Sequence, residues 1–140
     1  MALQCHAEVK VCRRCVGWLR SQTAALDVTP TLPVTDLDEA IAFYEGLGFE
    51  VHRYHGGGFG FVHYDDESVF DLDQTDVDPT TNRAGCYVVA SDVDGWHRRV
   101  VAAGVLATDV AAQEWGMREF EFRDPNNNNI RIGCPRGDGS

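Results

Sequence analysis

Polar and apolar residues alternate with a period of two over the last third of this 140-residue chain. From Arg118 to Arg123 the order is Arg, Glu, Phe, Glu, Phe, Arg. Phe120 and Phe122 therefore point to one face of a strand, and Glu119, Glu121 and Arg123 to the other. Asp124-Pro125 stops that strand, because proline has no N–H for the ladder and fixes its own φ. Asn126 to Asn129 tolerate the left-handed backbone of a turn, and Ile130, Arg131 and Ile132 restart the alternation. The pattern predicts a hairpin with a polar face that touches something.

Upstream, strand and helix periods follow one another twice. Thr29–Val34 reads as a strand, and Asp36 caps a helix over Leu37–Leu47 whose apolar side carries Ile41, Phe43, Tyr44 and Leu47. Gly48 ends that helix. Strands are expected over Phe49–Tyr54, Phe59–Tyr64 and Ser68–Leu72, separated by Gly56–Gly58 and Asp65-Asp66 turns. A linker rich in Asp, Thr and Pro covers Asp73 to Arg83. The order then returns as strand Cys86–Ala90, cap Asp92, helix Val93–Ala103, stop Gly104, and strands Val105–Val110, Arg118–Arg123 and Asn129–Gly133. Asp36, Asp38 and Gly48 recur at a fixed offset as Asp92, Asp94 and Gly104. The fold class is thus α+β, with two tandem βαβββ modules at about 28–77 and 84–133 in a domain spanning 27–140. Together the modules form a curved, cleft-bearing mixed sheet with the helices on its outer side. Its inner face would carry His52, Tyr54, Phe59, Phe61, His63, Tyr87, Glu119 and Glu121, polar or aromatic where a plain core would be aliphatic.

Residues 1–26 differ in composition and read as an N-terminal extension, helical or disordered. They hold four of the 12 basic residues and one of the 22 acidic ones, leaving 8 basic against 21 acidic over 27–140, a net of −13. Such an acidic domain is a poor partner for nucleic acid, whose phosphates demand a basic surface, and a favourable one for cations. No apolar run approaches the roughly 20 residues of a membrane helix, and no secretory signal is evident, so the expected location is the cytoplasm. Five cysteines are an odd count. Cys12 and Cys15 form a CxxC near Cys5 and His6, but no second CxxC follows and a zinc site is not expected. Cys86 and Cys134 fall in strands, where a thiol packs as a small buried hydrophobe.

Two segments resemble a known family. PVTDLDEAIAFYEGLGFEV (33–51) is similar to the opening of a vicinal oxygen chelate module, the superfamily of glyoxalases, bleomycin resistance proteins and dioxygenases. WGMREFEFRDPNNNNIRI (115–132) is similar to the closing strands of its bleomycin-resistance branch, with Asn127 where a glycine is usual. Metal-dependent members carry one His, Glu or Gln on each of four strands. The resemblance places those positions at Thr29, Asp71, Gly85 and Arg131, of which only Asp71 suits a divalent ion. The bleomycin-resistance branch instead sequesters planar cationic drugs, without a cofactor, in aromatic grooves at a dimer interface. Its groove positions fall here on Tyr54 and Phe59 in the first module and on Tyr87 and Trp115 in the second. All four are aromatic, and aromatic faces stack on planar rings and attract cations. Arg118 would bind a ligand carboxylate or pair with Glu119.

The resemblance therefore implies a metal-independent, dimeric binder of a small cationic aromatic molecule of the bleomycin type, with no catalytic residue. Tyr54, Phe59, Tyr87, Trp115, Arg118 and Glu119 would line its groove. The alternative is a divergent glyoxalase- or dioxygenase-like enzyme that uses Asp71 with His63 or Glu121 in a rebuilt metal site.

Overall fold

The computed structural model describes residues 26–136, so the N-terminal extension and its CxxC lie outside the described residues apart from Leu26. The first module runs β1 (Thr31–Val34), α1 (Leu37–Gly46), β2 (Glu50–Arg53), β3 (Phe59–Tyr64) and β4 (Glu67–Gln74). The second runs β5 (Gly85–Val89), α2 (Val93–Ala102), β6 (Ala111–Ala112), β7 (Met117–Arg123) and β8 (Asn129–Pro135). Each module closes its own four-stranded mixed sheet, ordered β1-β4-β3-β2 and β5-β8-β7-β6. In both sheets the opening strand lies parallel to the closing one and the remaining pairs are antiparallel.

The caps behave as their chemistry dictates. The Asp36 carboxylate accepts from the Glu39 N–H at 3.3 Å, and that of Asp92 from the Gly95 N–H at 2.9 Å. Both helices stop where the backbone turns left-handed, at Gly48 (φ 103°) and Gly104 (φ 82°). Asn127 takes φ 66°, a left-handed conformation that asparagine tolerates, so the turn forms without a glycine there.

The two sheets are joined by side chains, and one core serves both modules. Phe43 of α1 meets Phe122 of β7, while Trp96 of α2 stacks on Phe49 with ring centroids 4.9 Å apart. Leu32, Val34, Val62, Phe70 and Leu72 from the first sheet and Phe120, Phe122, Ile130 and Ile132 from the second are at most 2 % exposed. Each helix packs on its own module's sheet and reaches the other module through an aromatic side chain, and among the described residues no helix covers the opposite face of either sheet.

The four asparagines do more than turn the chain. Asn128, fully buried, donates to the Pro33 carbonyl of β1, and Asn126 donates to the Thr35 hydroxyl. Asn127 donates to the Pro79 carbonyl in the linker, and Asn82 of the linker donates back to Asn126 and Asn128. Buried Asp124 anchors this knot, accepting from the Asn126 and Asn128 N–H groups, from the Asn128 amide and, at 2.7 Å, from the Tyr44 hydroxyl. Burial, and then the Asp124 charge, push the Tyr44 phenol well above its usual value, so it stays a donor.

The strand expected over Val105–Val110 does not form. Ala107 makes a single bridge to Phe122, and regular pairing with β7 covers only Ala111 and Ala112. The Thr108 hydroxyl accepts the Glu121 N–H at 2.9 Å, taking a donor that a backbone ladder would use. Leu106 points outward, 92 % exposed. A side chain competing for the ladder is invisible to an apolar-polar count. Cys86 is a free thiol, raised to about 11 by burial, and so stays protonated. Cys134 is buried but disulfide-bonded rather than a lone thiol.

Candidate functional site

On the uncovered face of the second sheet the alternation of β7 leaves Glu119 and Glu121 opposite to Phe120 and Phe122, as the residue pattern requires. Glu119 is only 7 % exposed, yet it lies among partners. It accepts from the Tyr87 hydroxyl at 2.7 Å, from the Trp115 indole N–H at 3.2 Å and from the Arg131 guanidinium at 2.5 Å. Arg131 also lies over the Tyr87 ring, 4.9 Å from its centroid. Tyr87 stands on the edge strand β5 and must cross β8 to reach Glu119 on β7. Gly133 of β8 makes the crossing possible, since a Cβ there would collide with the Tyr87 hydroxyl. Burial works to raise the Glu119 carboxyl, but the bonds from Arg131, Tyr87 and Trp115, with the Arg131 charge, outweigh it and hold it below its ordinary range. The result is an aromatic platform, Tyr87 and Trp115, pinned by one ionised carboxylate while the rings stay 37 % and 58 % exposed.

The uncovered face of the first sheet carries a second aromatic group. Phe59 and Phe61 of β3 lie edge to face at 5.4 Å, and Phe61 meets Tyr54 at 5.9 Å. Tyr54, just past β2, is half exposed and packs on His55. His52 and His63 meet across β2 and β3 at 5.2 Å, with His52 also 3.4 Å from Glu50. Among the described residues, no hydrogen bond or ring contact joins this group to Tyr87 and Trp115. One chain therefore presents two separate aromatic clusters.

Arg118 is not brought to either. It shares the face of Phe120, and its guanidinium makes two bonds to Asp94 of α2 at 3.0 and 3.1 Å. Arg131, read from sequence only as a residue that repels metal, makes the pairing with Glu119 that was open to Arg118. The register holds a hint of this, because Glu121 lies directly opposite Arg131 and Glu119 one pleat repeat further on the same face.

The four positions that the resemblance assigns to metal ligands do not fit a divalent ion here. Asp71 lies directly opposite Thr31, with Thr29 before β1, and Arg131 lies directly opposite Tyr87, with Gly85 one repeat away. Gly85 offers no donor, and any Cβ there would collide with the Asn129 carbonyl. Arg131 brings a positive charge. Among the described residues no three His, Cys, Asp or Glu gather in a ligating group.

Asp71 itself has a buried Oδ1 with no hydrogen-bond partner. Burial raises its carboxyl, and nearby His63 offsets this in part. An acid whose folded pKa exceeds the unfolded one is penalised fully at neutral pH, and the penalty is relieved as pH falls through the raised value towards about 4. Asp71→Asn is therefore expected to hold or raise stability at pH 7 by up to about 1 kcal/mol and to remove this pH dependence. Urea denaturation at pH 7 and pH 5 reads both effects, and a clear loss at pH 7 would contradict the assignment.

Residues 25–132 match the family described as the Glyoxalase/Bleomycin resistance protein/Dioxygenase superfamily, and the chain belongs to it. A bleomycin resistance protein of Klebsiella pneumoniae is 26% identical over 112 residues, covering 74% of this chain and 88% of that protein. The crystal structure of a bleomycin-binding protein complexed with bleomycin superposes with a TM-score of 0.71 at 23% identity, covering 80% of this chain and 100% of that one. An antibiotic binding protein from Streptomyces sp. CB03234, TnmS3, has a TM-score of 0.63 at 27% identity, covering 79% of this chain and 98% of that one.

Proposed function

We propose that this protein is a metal-independent small-molecule binder of the bleomycin-resistance type, which captures a cationic, partly aromatic ligand without transforming it. The observation that carries this reading is a pair of aromatic clusters, exposed Tyr54 with half-buried Phe59 and exposed Tyr87 with Trp115, on sheet faces that no helix among the described residues covers. Rings standing in solvent beside fixed carboxylates are costly unless something planar stacks on them, and a cation gains most from doing so. Two such clusters on one chain suit a homodimer, in which the first sheet of one copy faces the second sheet of the other and the ligand lies between. Sequestration needs affinity alone, which agrees with a site where Glu119 is saturated by internal partners and no base or nucleophile is poised. No helix among the described residues is long and apolar enough to cross a membrane, and the reading places the protein in the cytoplasm.

The test is a titration of chelator-treated protein with bleomycin, followed by tryptophan fluorescence, with the mass in solution measured alongside. Saturable quenching at a ratio of one ligand per groove, with the mass of a dimer, is expected without added metal. Binding that appears only after loading with nickel, zinc, manganese or iron would instead support the rebuilt metal site around Asp71 and His63.

A further inference from the structure

The two uncovered faces differ in charge. On the first sheet Glu50, Asp71 and Asp73 share a face with Phe59 and Phe61, without a lysine or arginine among them. On the second, an open depression of about 330 Å³ lies beside the Tyr87 ring, lined by Arg83, Gly85, Cys86, Tyr87, Asn129 and Arg131. At Gly85, one of its walls, β5 runs so close to Asn129 that a Cβ would collide with the Asn129 carbonyl. Arg83 stands at its rim, exposed, and among the described residues its guanidinium bonds only the neighbouring Asn82 carbonyl. Unlike three other arginines, it meets no carboxylate among the described residues. Arg118 has Asp94, Arg53 has Asp38 and Arg131 has Glu119. Arg131 spends one nitrogen on Glu119 and lies across the Tyr87 ring, so its plane is held at the wall of the depression.

We propose that this depression is a subsite for a carboxylate on the ligand, which Arg83 and Arg131 receive while the adjoining planar part stacks on Tyr87 and Trp115. The proposal rests on the binding function above and adds the ligand's polarity, with its cationic end towards the acidic first-sheet face and its carboxylate at Gly85. A guanidinium presents paired N–H groups in the plane a carboxylate needs, and the two form strong charge-assisted bonds. Arg83, unlike Arg131, bonds only a neutral carbonyl among the described residues, so a carboxylate has no ion pair to displace there.

Calorimetric titration of wild type and Arg83→Gln with 2-naphthoate, 2-naphthamide and bleomycin tests this. Arg83 is exposed and outside the core, so the variant should melt with the wild type. The naphthoate is expected to bind more tightly than the naphthamide to wild type, and to lose roughly tenfold in Arg83→Gln while the naphthamide is unchanged. Raising the salt from 0.05 to 0.5 M should weaken naphthoate binding to the wild type and leave the amide unaffected. Equal affinity of the two naphthyl probes, or an equal loss of both in Arg83→Gln, would overturn the subsite and leave the binder intact provided bleomycin still binds. Failure of all three to bind would remove the binding function and this proposal with it.

Discussion

Asp124→Ala is expected to be the most damaging single substitution in the described domain, lowering stability by about 3–5 kcal/mol and the midpoint of thermal unfolding by roughly 10–20 °C. The residue is only 5 % exposed and accepts four hydrogen bonds, from the Tyr44 hydroxyl, the Asn128 amide and two backbone N–H groups. Alanine would leave these donors buried without an acceptor, each at a desolvation cost of about 1–3 kcal/mol, softened where the turn relaxes or water enters. Tyr44→Phe removes one of the four donors and should cost less, about 1–2 kcal/mol. Because Tyr44 and Asp124 share one hydrogen bond, the double variant should lose less than the sum of the two. Differential scanning calorimetry of the three variants checks this. An Asp124→Ala protein within 1 kcal/mol of wild type would show that the asparagine turn holds without its carboxylate.

The second large effect concerns ligand affinity. Trp115→Ala together with Tyr87→Ala should weaken bleomycin binding by about 100-fold or more, while the melting temperature stays within a few degrees of wild type, since both rings are substantially exposed. Calorimetry is the suitable readout, because removing Trp115 also removes a fluorescent reporter. Glu119 adds a pH signature to the same platform. Its folded pKa lies below the usual value, so its contribution is complete above about pH 4.3 and is lost as pH falls through the lower folded value. Affinity should thus hold from pH 8 down to about pH 5 as far as Glu119 is concerned, and fall only in stronger acid, when protonation frees Arg131, Tyr87 and Trp115. A binding constant indifferent to loss of both rings would move the groove elsewhere on the molecule.

Much of the fold was legible because local physics decides it. Asp36 and Asp92 had to be caps, and Gly48 and Gly104 had to be stops, since each pairing of cap and stop brackets an amphipathic run of helical length. The alternation of β7 assigned Phe120 and Phe122 to the core and Glu119 to the other face. Over Val105–Val110 the residue types favour a strand but say nothing about a threonine side chain that takes the Glu121 N–H from the ladder. Arg118 neighbours Glu119 in sequence, but adjacent residues on a strand face opposite ways, and it meets Asp94 of α2 instead.

The sequence by itself thus settled the two modules, their order and which strand positions face the core, because periodicity, caps and turn residues act over a few residues. The tertiary structure alone decided which charges meet. Arg131 rather than Arg118 pairs with Glu119, Arg83 is left over at the hollow of Gly85, and the asparagine run ties β1, the linker and the closing turn together. These contacts join positions up to 95 residues apart. Their partners depend on strand register and on the space that Gly85 and Gly133 leave open, which no local pattern encodes.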